Sequence, residues 1–203
     1  EVAYKCMQSL GQTKWQGSNR GYYVGIWGED WLDLYSKDLY NSGTYRISGG
    51  YDFTISNRIS YEYDLRGPSF TIKAGCSLSL IALHKAVSAI QAGNYNGAIV
   101  ASTNLIFSPT MSMAMMEQGV LSLDALCKTF DTNANGYARG KAINAIFLKP
   151  LDNALRDGDP IRALIRATST NSDSKTPGMS MPSSESHKTL IQRAYKEVLL
   201  DPK

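Results

Sequence analysis

The feature that most constrains this fold is a change of hydrophobic period inside one short stretch, Gly67-Pro68-Ser69-Phe70-Thr71-Ile72-Lys73-Ala74-Gly75-Cys76-Ser77-Leu78-Ser79-Leu80. Pro68 cannot continue a helix, and Phe70, Ile72 and Ala74 alternate with polar Thr71 and Lys73 as they would on a strand. From Ser77 the spacing lengthens: Leu80, Leu83, Val87 and Ile90 fall on one face of a helix that stops near Gly93, a C-terminal cap. A strand therefore runs into Gly75, a helix leaves from Ser77, and Cys76 sits at the bend.

That position has chemical consequences. The thiolate is the nucleophilic form of cysteine, and the partial positive charge of a helix N-terminus favours it. Strand, small residue, nucleophile and helix in that order also match a nucleophile elbow, whose sharp turn pushes the reactive atom out of the sheet. Gly75 permits such a turn. The local sequence alone leaves a second role open, a buried structural thiol, because free cysteine is among the most buried residue types.

The remainder of the chain supplies a sheet for this stretch to join. Residues 21–28 and 97–102 are short apolar runs, the pattern of strands buried on both faces, and their alternation with helical segments predicts a parallel α/β sheet. At the start, Val2, Cys6 and Leu10, with Met7, share a helical face; no cap precedes them, which predicts a helix beginning upstream of residue 1. Trp27 and Trp31 are expected to supply buried area, with pocket aromatics as the alternative role. Residues 30–40 read as a short helix, Asn41-Ser42-Gly43-Thr44 as a turn, and 56–61 as helix or loop, with Arg58 a structural cation. Ser108-Pro109 opens a helix crowded with Met111, Met113, Met115 and Met116, which suits either an adaptable pocket wall or a core patch. A polar loop through Phe130-Asp131 and residues 135–140 precedes a strand at 142–148 and holds no obvious acid–base pair. A last helix covers 186–199.

Composition excludes more than it identifies. The net charge of +3 is small and scattered, against a nucleic-acid surface, and no apolar run approaches the roughly 20 residues of a membrane span. The start, Glu1-Val2-Ala3-Tyr4-Lys5, is neither a signal peptide nor a transit sequence, so a cytoplasmic location is expected. Cys6, Cys76 and Cys127 are too few and too far apart for a disulfide framework, and without a C-x-x-C pair no metal is expected.

Several ordered motifs together resemble the β-ketoacyl synthases, particularly the ketosynthase domains of iterative fungal or modular bacterial polyketide synthases. The stretch at 67–80 is similar to their G-P-S-x-T-V-D-T-A-C-S-S-S-L. Asn57-Arg58-Ile59-Ser60-Tyr61 resembles N-R-I-S-Y. Ser108-Pro109 with Gly119-Val120-Leu121-Ser122, Cys127-Lys128-Thr129-Phe130-Asp131 with Gly136-Tyr137-Ala138-Arg139-Gly140, and residues 154–162 also match family segments. The resemblance implies an α/β, thiolase-like fold, N-terminal half only, with a mostly parallel sheet and helices on both faces. Residues 1–182 would form that half, its first strand missing, and 183–203 the start of the C-terminal half. It implies that Cys76 accepts an acyl group from an acyl carrier protein thioester, the substrate riding on phosphopantetheine with no cofactor of the domain's own. Met115 falls where related enzymes place a residue against the acyl chain, and Met113 and Met116 are grouped with it as substrate contacts. A homodimer is implied as well, in which the strand before the cysteine pairs with its two-fold mate.

The chain also departs from its relatives. It has Lys73-Ala74-Gly75 for Asp-Thr-Ala, Leu78 where Ser is common, and Arg139-Gly140-Lys141-Ala142 for Arg-Gly-Glu-Gly. Alternation with Ala74 turns Lys73 away from the pocket, as a solvated surface charge. The family's two catalytic histidine motifs, E-A-H-G-T-G-T and N-x-G-H, lie beyond residue 203; His84 is expected to be structural and His187 superficial or capping. Three functions stay open: part of a polyketide ketosynthase; a truncated stand-alone enzyme performing acyl transfer, hydrolysis or cyclisation, with His187 recruited as base; or a non-catalytic half-domain docking on a full polyketide synthase. Acyl chain, extender unit and product are not legible.

Overall fold

The computed structural model describes residues 1–11, 14–37, 40 and 43–201. In chain order its elements are α1 (Val2–Gln8), β1 (Gly21–Trp27), α2 (Asp30–Ser36), α3 (Arg46–Gly50), α4 (Thr54–Glu62), β2 (Ser69–Ile72), α5 (Leu78–Gln91), β3 (Ala98–Asn104), α6 (Thr110–Glu117), β4 (Ala142–Leu148), α7 (Leu151–Asp157) and α8 (Ser184–Glu197). The turn expected at 41–44 lies partly outside the described residues. Strand order is β2-β1-β3-β4, with β1 parallel to both neighbours and β4 antiparallel to β3.

The two apolar runs became the central strands because both of their faces are covered. Alternate side chains of a strand point to opposite faces. On one face Tyr22, Val24, Ile26, Ile99 and Ala101 pack with Ala3 and Met7 of α1, Trp15 and Leu65. On the other, Tyr23, Ala98 and Val100 pack with Ala82 and Ala86 of α5 and with Tyr95. Helices thus cover both faces of a mostly parallel sheet.

Two helices turn differently from the pattern in their sequence. α1 buries Ala3 and Met7, with Leu10 partly packed, rather than Val2 and Cys6. α5 buries Leu78, Ala82 and Ala86, while Leu80 is 67% exposed. Close approach is the cause. A Cβ built on Gly25 of β1 would stand 2.5 Å from Leu78 Cδ1 and 2.8 Å from the Leu78 carbonyl carbon, so the first turn of α5 rests on bare strand backbone. Alanines suit the rest of a face this close to the sheet, and the bulkier Leu80 is displaced outward. The helix ends as expected, with Gly93 at φ +76° just beyond it.

Other expectations also need correcting. Trp31 is 51% exposed and Trp27 only half-buried, so neither is simply core mass. Arg58 is exposed on α4 and forms no ion pair among the described residues. Lys73 does point away from Cys76, yet it is no free surface charge: its ammonium bridges Glu29, at 2.6 Å, and Asp52. α8 starts at Ser184, two residues early, because the Ser183 hydroxyl caps it by accepting from Ser186 N at 3.2 Å.

Candidate active site

The bend at Cys76 is built as its sequence suggests. β2 ends at Ile72, Gly75 adopts φ +55°, and α5 begins at Leu78. The left-handed φ is a conformation glycine takes without a Cβ penalty. Ser77 tightens the turn, its hydroxyl donating to Ala74 O at 2.7 Å. Cys76 is exposed, which removes the reading of a buried structural thiol.

Cys76 opens on a cleft of about 370 Å³ lying beyond the C-terminal ends of the parallel strands, the usual place for a site on such a sheet. Trp27 and the first turn of α5 form one wall. The floor is the end of β3 and start of β4, where Ser102 faces Asn144 in register and donates to its Oδ1 at 2.9 Å. The third wall is the polar loop before β4. Tyr137 bridges Leu121 through Tyr137 N to Val120 O (3.2 Å) and Ser122 N to Tyr137 O (3.0 Å). The buried Ser122 hydroxyl donates to Asp124, and Asn135 Oδ1 lies 2.9 Å from the same oxygen. Hydrogen bonds from Lys128 and then Ser122 hold the Asp124 carboxyl down at about 2. The loop's return passes Cys127, whose sulfur accepts from Ala138 N at 3.2 Å.

The methionines divide. Met115 lines the cleft, 3.8 Å from the Tyr137 hydroxyl that donates to its sulfur, whereas Met113 and Met116 point outward, 57% and 61% exposed, and touch no part of it. Both helix geometry and strand spacing were silent on the cleft's polar lining: Ser102, Asn104, Asn144, Tyr137, Arg139 and Lys141. The signal was present in the small residues that end the 97–102 run and in the polar Thr103 and Asn104 that follow it. Asn104 spans the floor to the loop, its Nδ2 donating to Gly140 O at 2.5 Å. Arg139 donates from Nη1 to Ser112 Oγ at 3.2 Å.

Neither histidine reaches the cleft. His84 is half-buried on α5 with Nδ1 2.8 Å from Thr168 Oγ1, and His187 is exposed on α8 with Nε2 3.8 Å from Asp173 Oδ2. An exposed thiol at a strand–helix bend, a polar floor and a soft thioether wall can seat a thioester for attack by sulfur.

The family model described as Beta-ketoacyl synthase, N-terminal domain, matches residues 1–154. The chain belongs to that family. Among polyketide synthases, this β-ketoacyl synthase chain is 81% identical over 203 residues to the highly reducing polyketide synthase FUM1 of Gibberella moniliformis (strain M3125 / FGSC 7600) and 70% identical over 202 residues to the highly reducing polyketide synthase ALT1 of Alternaria alternata. Both matches cover 100% of this chain and 8% of the relative, so the chain spans a small part of the length of the curated relatives it matches. Among solved structures it superposes on the oxazolomycin ketosynthase domain OzmH KS7 of Streptomyces albus JA3453 with a TM-score of 0.90 at 28% identity, covering 99% of this chain and 36% of that one. The ketosynthase from module 6 of the bacillaene synthase of Bacillus subtilis 168 gives 0.87 at 30% identity, over 97% and 34%. The fold is accordingly thiolase-like α/β. Among the described residues no helix is long and apolar enough to cross a membrane.

Proposed function

We propose that this chain is the acyl-accepting part of a polyketide ketosynthase, with Cys76 as nucleophile. The observation that carries this reading is the exposed Cys76 thiol, held at the Gly75 bend over a cleft at the sheet's C-terminal edge. An acyl group arrives as a thioester on the phosphopantetheine of an acyl carrier protein, so the domain needs no cofactor of its own. Met115 and Trp27 form the apolar side against which the acyl chain lies. Decarboxylative condensation additionally requires groups that polarise the thioester carbonyl and stabilise the enolate. No histidine lines the cleft among the described residues. A homodimer fits the same reading, because β2 is an edge strand of the described sheet and Phe70 on it is 52% exposed.

Incubating the purified chain with an acyl thioester and weighing it intact tests the proposal. The expected result is one acyl adduct, lost in Cys76→Ala. An adduct without ketoacyl product leaves simple transfer or hydrolysis as the activity. No adduct, together with slow alkylation of Cys76 by iodoacetamide, would sink the catalytic reading and leave a docking half-domain.

A further inference from the structure

The Cys76 cleft has an unbalanced charge. Arg139 and Lys141 line it, and no carboxylate does. Elsewhere Lys73, Lys128, Lys149 and Arg156 are each held by an aspartate or glutamate, but Arg139 and Lys141 form no ion pair among the described residues. Arg139 spends one nitrogen on Ser112 and leaves Nη2 buried without a hydrogen-bond partner. A buried donor in that state is costly, and two unpaired cations on the wall of a half-open cleft attract anions with a strength that salt screens. Lys141 also stands where the resembling family carries glutamate, so the sign of the charge at this wall is reversed.

We infer that the cleft prefers acyl groups ending in a carboxylate, with Lys141 and Arg139 attracting that carboxylate while the acyl carbonyl meets Cys76. The inference rests on Cys76 being the acyl acceptor. The phosphate of a carrier arm is a poorer candidate, because two amide units separate it from the thioester sulfur and keep it outside a cleft of about 370 Å³. The transfer itself is ordinary: the Cys76 sulfur bonds to the acyl carbon, the bond from that carbon to the carrier sulfur breaks, and the departing thiolate takes up the proton that Cys76 lost.

Succinyl and butyryl thioesters of N-acetylcysteamine have nearly the same shape and differ in charge. Their rates of adduct formation on the 203-residue chain, followed by intact mass at low and high salt, test the inference. Succinyl loading is expected to be faster by about fivefold, the worth of one partly exposed charge pair. High salt should erase that ratio, and Lys141→Glu should reverse it. Equal rates, or a ratio indifferent to salt and to Lys141→Glu, overturn the inference while leaving Cys76 as the acceptor. Butyryl phosphopantetheine outpacing butyryl pantetheine would assign the cations to the carrier arm and overturn it too. Loading of neither thioester removes the acceptor reading and the inference with it.

Discussion

Gly25 decides where the nucleophile stands. The Leu78 backbone lies within 2.9 Å of where a Gly25 Cβ would be, and backbone has no rotamer with which to retreat. Gly25→Ala must therefore lift the start of α5 and move Cys76, two residues upstream of Leu78. The expected cost is about 1–3 kcal/mol in a urea titration, the range for inserting a methyl group into a packed interior. A slower or faster alkylation of Cys76 should accompany it. An unchanged midpoint with unchanged alkylation would mean that the helix is free to shift, contrary to the packing. Gly75 differs: a Cβ there meets only Trp27 Cζ3 at 3.8 Å, so its requirement is the left-handed φ alone. The bend at Gly75 was readable because turns announce themselves in local residue types. Gly25 was not, since nothing in a strand sequence says which glycine faces a helix at contact distance.

At the scale of elements the strand–bend–helix unit and both central strands were legible, because each is written in a period of its own. The inner face of α5 was not. Periodicity finds the larger apolar residues, whereas a helix seated close on a sheet buries its small ones, here Ala82 and Ala86. The methionines fail as a pattern for a related reason: four on one short helix cannot all face one cleft, and only Met115 has Tyr137 to meet it. The seating of α5 on β1 is closed at its far end by a buried contact between the Tyr23 and Tyr95 hydroxyls. Burial first, then the hydrogen bond shared with Tyr23, pushes the Tyr95 hydroxyl's pKa up. Tyr23→Phe should cost about 1–2 kcal/mol by stranding the Tyr95 hydroxyl, and Tyr23→Phe with Tyr95→Phe should cost less than the two single changes added together. Additive losses in the double-mutant cycle would show that the two hydroxyls are not coupled.

Across the whole molecule, the cleft is assembled from residues as distant in sequence as Trp27, Cys76, Met115 and Lys141, so it exists only while loop and sheet keep their places. Two ion-pair clamps brace the fold, one at the end of β4 away from the cleft and one in the cleft's own loop. Lys149, at the end of β4, binds Asp157 at 2.6 Å and also Asp159, pinning α7 back to the sheet. Lys128 binds Asp124 at 2.5 Å and braces the loop that forms the third wall. Hydrogen bonds from Arg156 and then Lys149 hold the Asp157 carboxyl at about 2, and Asp124 sits at about 2 as well, both below the ordinary 3.8. A carboxyl whose value is lower folded than unfolded binds its proton more readily when unfolded. Its stabilising contribution is therefore complete above about pH 4 and disappears as pH falls from there to about 2. Denaturation midpoints should accordingly be insensitive to these two groups from neutral pH to about 4 and decline modestly below it, as befits solvent-screened pairs. Asp157→Asn should lower the neutral-pH midpoint and flatten part of that acid slope, and Asp124→Asn should flatten another part. Because the two clamps share no residue, their effects on the slope should add. If both variants keep the wild-type slope between pH 4 and 2, the acid sensitivity of the fold resides in other carboxylates and the clamps contribute only at the surface.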